Sequence, residues 1–375
     1  MEFEKELKVT ETNISGLLVF DLPVHGDNRG WFKENWQKAK MTALGLPADI
    51  QWPIPLEESE RSEADLHHPM LKDAKPMAPR RTLVNGADGQ LGRAIRDYVQ
   101  AHGLEGFEFT DIDEFDFSDP AAYAQIDWTL YGAIINAGAY TAVDKAETPE
   151  GRTAAWKANA QGPALLAKTA IEYNLTLVHI SSDYVFDGVT EAHDEDEAFA
   201  PLGVYGQAKA AGDIAVAMAP KHYILRSSWV IGDGHNFVKT MIALSDRVAN
   251  PDEALEQVTV VDDQIGRLTF TQDMARAIFC LLEREAPYGT YDLTLSGDSV
   301  SWAAIAREVF AQANVNAQAV APINTEEYFA NATVPVSPRP AYSTLDLAKI
   351  EETGFEPSDW RDELHAYVAA ARKGE

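Results

Sequence analysis

The sequence predicts an α/β fold: a doubly wound parallel sheet with a smaller mixed C-terminal lobe behind it and a short β-like arm in front. Two observations carry this expectation. From Thr82 onward, apolar strand-like runs alternate with longer segments of helical period, the pattern of a parallel sheet with crossover helices. The first of those runs leads at once into Gly86-Ala87-Asp88-Gly89-Gln90-Leu91-Gly92, glycines spaced to turn a strand into a helix around a phosphate. The 375 residues correspond to about 2.5 average domains, so more than one unit is expected.

In chain order, residues 1–52 hold the apolar runs Gly16–Phe20 and Trp31-Phe32 around the turn-prone Gly26-Asp27-Asn28-Arg29-Gly30, which predicts a hairpin-like arm too small to fold alone. Residues 53–80, rich in Pro, Glu and Lys with weak periodicity, read as a linker. In residues 81–230 the expected strands are Thr82–Val84, Phe107–Phe109, Ala133–Ile135, Thr176–Ile180 and Tyr223–Leu225, with helices over Gln90–His102 and Thr153–Tyr173. Residues 231–375 read as the smaller lobe, with helices near Asn236–Val248, Thr271–Arg284 and Trp302–Gln312 among short strands and Pro-rich loops.

The composition excludes several functions. Lys plus Arg number 31 against 59 Asp plus Glu, a net charge of −28, and a field of that sign repels nucleic acid and anionic membrane. An anionic small molecule still binds where backbone N–H groups and a few cations make a local positive pocket. The single cysteine, Cys280, lies in an apolar run; it excludes a disulfide framework or Cys-based metal site and reads as a core thiol. A charged start without an apolar run, and no stretch long enough to span a bilayer, predict a cytoplasmic protein.

Three constellations carry chemistry. The GxxGxxG motif lets backbone approach a pyrophosphate at a helix N-terminus, with Gly92 permitting close helix packing. About twenty residues on, Asp111 ends the second expected strand, where it could accept from ribose hydroxyls; the bland alternative is a solvated loop acid among Asp113, Glu114 and Asp116. Such an acid leans toward NAD, whereas Arg93 could meet a 2′-phosphate, so NADPH or NADH stays open. Tyr205-Gly206-Gln207-Ala208-Lys209 sets a phenol and an ammonium on one helix face, and a nearby cation is expected to lower the phenol's pKa toward a useful proton donor. Taken alone this spacing is more often a surface pair. Its place after Ser181-Ser182-Asp183-Tyr184, at the carboxyl end of an expected strand where open sheets bind ligands, favours function over ordinary turn chemistry.

Together with Asn136–Glu147, Ser181–Phe186, Val204–Lys209, Arg226–Val230, His235–Thr240, Asp263–Gly266 and Arg339-Pro340, the glycine motif makes the chain from about residue 81 to the C-terminus resemble the dTDP-4-dehydrorhamnose reductases, extended short-chain dehydrogenases of Rossmann type. The resemblance implies reduction of the 4-keto group of dTDP-4-dehydro-L-rhamnose to dTDP-L-rhamnose by NADPH or NADH, in dTDP-rhamnose biosynthesis for cell-wall polysaccharide. It implies that Tyr205 protonates the oxygen, Lys209 holds the nicotinamide ribose and tunes Tyr205, and Ser182 hydrogen-bonds the carbonyl, while Asp183 and Trp229 line the sugar site. Gly86, Gly89, Gln90, Leu91, Gly92, Asp111, Asp116, Phe117, Ala139, Tyr140 and Thr141 match cofactor positions. Some members carry a Glu two residues after the last motif glycine that helps hold Mg²⁺ at a dimer interface; here that residue is Ala94, so no metal and no Mg-bridged dimer is expected.

The arm, with Leu18-Val19-Phe20 and Gly26–Glu34, resembles the opening of dTDP-4-dehydrorhamnose 3,5-epimerase, a cupin. After Trp52 the chain passes into the linker, without the barrel body or the segment bearing that family's catalytic His, and His67 and His68 match no epimerase motif; epimerase activity is expected to be absent. Two other readings compete: a non-catalytic dinucleotide-binding regulatory subunit like that of methionine adenosyltransferase, and a related reductase or epimerase on another nucleotide sugar. The complete set Ser182, Tyr205 and Lys209 argues against the first; the C-terminal lobe would distinguish the second.

Overall fold

The computed structural model describes residues 80–373 and, within the N-terminal segment, residues 8–11, 18–21, 24–27 and 30–33. The chain divides into two units, Met1–Met77 and Ala78–Glu375. In the first, β1 (Lys8–Glu11) pairs antiparallel with β2 (Leu18–Asp21), and β3 (Val24–Asp27) with β4 (Gly30–Lys33), so the two apolar runs do enter strands. The expected linker, with His67 and His68, lies outside the described residues apart from Arg80.

The second unit is built on a six-stranded parallel sheet. Its strands are β5 (Arg81–Asn85), β6 (Phe107–Thr110), β7 (Tyr131–Asn136), β8 (Thr176–Ser182), β9 (His222–Ser227) and β14 (Gly289–Asp292), in spatial order β6-β5-β7-β8-β9-β14. All five expected strands are present, and every pairing is parallel. Strand order reverses between β5 and β7, and in open α/β sheets the crevice at such a reversal, beyond the carboxyl ends, is where ligands sit.

Helix α1 (Gln90–Ala101) buries Leu91, Ala94, Ile95 and Val99, a stripe at three- and four-residue spacing. It packs with Met274, Ile278 and Phe279 against Val84, Ile135 and Val178 of the sheet. Full burial of a side chain such as Ile95 stabilises by about 1.5–3 kcal/mol. Cys280 is half-buried beside this cluster, as a core thiol would be.

The expected single helix over Thr153–Tyr173 is instead α2 (Pro149–Trp156), a π-helical turn over Lys157–Gln161, and α3 (Gly162–Tyr173). The cause is Pro163: its ring displaces the carbonyl one turn earlier and it lacks an N–H, so the ladder widens instead of continuing. Helix α4 (Val204–Val216) lies beyond β8 and carries half-buried Tyr205 and buried Lys209.

The smaller lobe follows β10 (Val230–Ile231). Helix α5 (Phe237–Ala249) precedes β11 (Val258–Val261), β12 (Ile265–Gly266) and β13 (Thr269–Phe270), and α6 (Thr271–Glu283) leads back to β14. Next come β15 (Val300–Ser301), α7 (Trp302–Gln312), β16 (Val320–Ile323), two short helices, α8 (Thr325–Phe329) and α9 (Ala348–Glu352), and α10 (Trp360–Lys373). A separate core of Val238, Met241, Ile305, Phe310, Trp360 and Leu364 holds it together. Its α6 and β14 nevertheless complete the sheet layer, β14 pairing with β9. No described helix is long and apolar enough to cross a membrane.

Candidate active site

The loop after β5 is shaped by two close approaches. Gly86 takes φ +73°, and a Cβ there would lie 2.4 Å from the backbone nitrogen of Gly138 in the loop after β7, so only glycine fits. Gly92 carries no such φ, but a Cβ there would come within 2.2 Å of the Gly86 carbonyl oxygen; its role is to let α1 lie against the loop. Gly89 is the N-cap of α1 and offers no side-chain cap, which leaves the first helical N–H groups for an anion in the crevice.

Asp111 sits at the end of β6 with one carboxylate oxygen accepting from the backbone N–H of Asp88 at 2.8 Å and the other from that of Ile112 at 2.8 Å. It is therefore an oriented acid at the crevice edge. The Arg93 guanidinium donates to the carbonyl oxygens of Asp88 and, at 2.7 Å, Asp233. Asp116 accepts from Lys157 Nζ at 3.0 Å; burial works against its charge, but the hydrogen bonds from Ser118 and Lys157 win and hold its carboxyl below the usual range. The Phe117 ring lies where Gly138 and Gly162 would carry a Cβ. Tyr140 is clamped by Asn159 in the π-helical turn, which accepts from its N–H at 2.8 Å and donates to its carbonyl at 2.9 Å.

At the carboxyl end of β8, the Ser182 hydroxyl donates to Asp183 at 3.0 Å and accepts from the backbone N–H of Tyr184 at 3.2 Å. Burial pushes the Asp183 carboxyl up to about 6, against the hydrogen bonds from Ser343 and Ser182. The Tyr205 ring meets Tyr184 edge-on at 5.5 Å, and its hydroxyl lies under the influence of the Ser182 hydroxyl. Lys209 is buried, and its Nζ donates to the carbonyl oxygen of Ile180 at 2.5 Å. Burial lowers its pKa to about 8, opposed by Asp213.

One expectation changes here. Burial pushes Tyr205 up to about 12; the group pulling it down is the Ser182 hydroxyl rather than Lys209, whose ammonium is turned to a backbone carbonyl. The phenol is accordingly held protonated at neutral pH, the form a proton donor needs.

A crevice of about 920 Å³ gathers these groups. Gly86, Gly89, Gln90, Leu91, Asp111, Asp116, Phe117, Ala139, Tyr140 and Thr141 line it from the sheet's reversal point, and Ser182, Asp183, Tyr205, Lys209 and Trp229 from beyond β8 and β9. Gly92 lies beneath rather than on its wall. Ala94 is buried on α1. Trp229 holds φ +49°, a left-handed conformation uncommon for a bulky residue, with its indole stacked on Trp302 at 3.8 Å.

The sequence reading missed Asn159, which holds Tyr140, Lys157 and Ser118, which hold Asp116, and Trp302 behind Trp229. An Asn just before Gly162-Pro163 in a helical stretch was a usable signal for the first; the others are brought in only by folding. The glycine cradle that side chains would fill, the uncapped helix start and the oriented acid together fit a nicotinamide dinucleotide.

Residues 80–373 match the family model of the RmlD substrate binding domain. The dTDP-4-dehydrorhamnose reductase of Aggregatibacter actinomycetemcomitans is 36% identical over 299 residues, covering 76% of this chain and 97% of that one. A crystal structure of a dTDP-4-dehydrorhamnose reductase from Clostridium acetobutylicum superposes with a TM-score of 0.70 at 35% identity, covering 78% of this chain and 99% of that one. The Bacillus anthracis reductase, solved in complex with NADP, gives 0.69 at 32% identity and the same coverage. With a matched relative at that identity covered almost end to end, the chain belongs to the dTDP-4-dehydrorhamnose reductase family.

Proposed function

We propose that this protein reduces the 4-keto group of dTDP-4-dehydro-L-rhamnose to give dTDP-L-rhamnose. The observation that carries the reading is the convergence of Tyr205, Ser182 and Lys209 on the crevice that the glycine loop opens. Gly86, Gly89 and the start of α1 would hold the dinucleotide's pyrophosphate, Asp111 its adenosine ribose, and Lys209 its nicotinamide ribose. When bound, the reduced nicotinamide, NADPH or NADH, supplies hydride to the carbonyl carbon. The Ser182 hydroxyl, which donates to Asp183 in this structure, would turn to donate a hydrogen bond to the carbonyl oxygen, and the Tyr205 hydroxyl gives its proton to that oxygen as negative charge develops there. Asp183 and Trp229 face the sugar.

A binding-only regulatory subunit has no need of a buried ammonium and a half-buried phenol on the wall of one crevice, and desolvating Lys209 is costly without a use. The same proposal includes a cytoplasmic site of action, supply of a rhamnosyl donor for cell-wall polysaccharide, and absence of epimerase activity; deuterium entering C3 or C5 of the keto-sugar would refute the last. The test is direct. Protein, NADPH or NADH and dTDP-4-dehydro-L-rhamnose should consume reduced nicotinamide, read by its absorbance, beside a panel of other nucleotide keto-sugars. No consumption with this sugar alongside consumption with another would transfer the activity to that sugar.

A further inference from the structure

Behind the crevice, a row of buried polar side chains crosses the sheet. The Asn85 amide donates to Asn136 Oδ1 at 2.9 Å, and that oxygen also accepts from the backbone N–H of Gly138 at 3.2 Å. The Asn136 amide nitrogen is thereby turned to His179 Nδ1, at 3.0 Å, which must accept. Burial holds the His179 ring neutral, so its one N–H is on Nε2, facing Asp213 Oδ1 at 3.9 Å. The other Asp213 oxygen accepts from Arg226 Nε at 3.0 Å. Asp213 is buried and lies one turn beyond Lys209 on α4, where four-residue spacing brings side chains onto one face.

We propose that Asp213, held by Arg226 and polarised by the Asn85–Asn136–His179 row, is the positioning residue for Lys209: a buried anion one helical turn away that keeps the ammonium charged beneath the crevice. This inference rests on the reductase reading of Tyr205 and Lys209. The physical need is plain: Lys209 is out of water and its hydrogen bond goes to a neutral carbonyl, so its charge requires an anion nearby. The charged and titratable groups around it are Tyr205 and Asp213 on its own helix, His179 on β8 and Asp183 just beyond it, and Arg226 on β9, with Asp292 on β14 and Glu195 behind the arginine. Of these, Asp213 is the one that favours the ammonium.

The test compares the full chain with Asp213→Asn, Asp213→Glu, His179→Phe and Tyr205→Phe, following reduction of dTDP-4-dehydro-L-rhamnose by NADPH across neutral and alkaline pH. Asp213→Asn should move the alkaline limb of kcat down by about one pH unit, because a neighbouring opposite charge shifts a pKa by about 1–3 units. Asp213→Glu should restore the limb, and KM for the sugar should change little. In the cofactor-free chain, the titration of Lys209 followed by NMR of carbon-labelled lysine should move the same way. Inactive Tyr205→Phe with an unmoved alkaline limb and unmoved lysine titration in Asp213→Asn would overturn this inference alone. Inactive wild type, or active Tyr205→Phe, would overturn the reductase reading instead. Should Asp213→Asn fail to fold, His179→Phe decides: a limb moved down supports the inference and an unmoved one overturns it.

Discussion

The indole of Trp229 lies flat on that of Trp302, ring centres 3.8 Å apart and planes at 21°. Trp302 begins a helix of the smaller lobe, whereas Trp229 leaves the sheet in a left-handed conformation, so the stack fixes a strained residue on the wall of the crevice. Trp302→Ala should raise KM for the nucleotide sugar several-fold, and a stack of this kind is worth about 0.5–1.5 kcal/mol. The dissociation constant for NADPH should stay put. The paired-indole signal in circular dichroism should collapse; its survival would show the stack is not what orients Trp229.

Tyr205→Phe removes one hydroxyl and leaves the ring packed edge-on against Tyr184. Turnover should drop about 10²–10⁴-fold, the usual worth of a positioned acid, while NADPH still binds. Steady-state kinetics and cofactor fluorescence measure the two; near-normal turnover would assign the proton to another group.

Gly92→Ala places a methyl where the Gly86 carbonyl oxygen stands 2.2 Å away. Either α1 or the loop must retreat, at a cost of about 1–3 kcal/mol for overpacking, with weaker cofactor binding as the second effect. Thermal unfolding with and without NADPH reads both, and unchanged values would mean that the loop yields freely.

Asp111 presents an oriented carboxylate at the crevice edge, and Arg93 is committed to two backbone carbonyls. A 2′-phosphate meets the carboxylate as a like charge, so kcat/KM should be higher with NADH than with NADPH. Asp111→Ala should narrow the gap. A wild-type preference for NADPH would show that Arg93 leaves its carbonyls to take the phosphate.

Burial raises the Asp183 carboxyl from 3.8 to about 6, and raises Asp213 and Asp292 as well. Between those values the folded chain binds a proton at Asp183 that the unfolded one has lost, so the Asp183 contribution makes stability fall as pH rises from about 4 to 6 and levels off above. For Asp183 alone the change is roughly 2–3 kcal/mol, at 1.36 kcal/mol per pKa unit. Asp183→Asn should flatten part of that slope in denaturant melts taken across the window; an identical slope would place the protonation elsewhere.

The strands of the sheet, the glycine loop and the Tyr205–Lys209 pair were all legible from the residues, because each is written locally: a period, a turn requirement, a spacing along one helix. The interrupted helix over Thr153–Tyr173 was misread for a local reason, since a single proline forces the π-helical turn that carries Asn159. Strand β14 is as long as β6 but reads Gly-Thr-Tyr-Asp, without an apolar run to mark it, and it becomes a strand by pairing with β9.

Sequence by itself determined the fold class and which side chains are candidates for the chemistry, since both follow from the order of residues along one element. Only the tertiary structure decided what each of those side chains faces. Lys209 meets the carbonyl of Ile180 instead of the phenol, Tyr205 is raised by burial and only partly drawn back by Ser182, and His179, Asp213 and Arg226 meet although they belong to three different elements. The physical reason is that burial and electrostatic partnership depend on distance through the folded interior, which spacing along the chain does not encode.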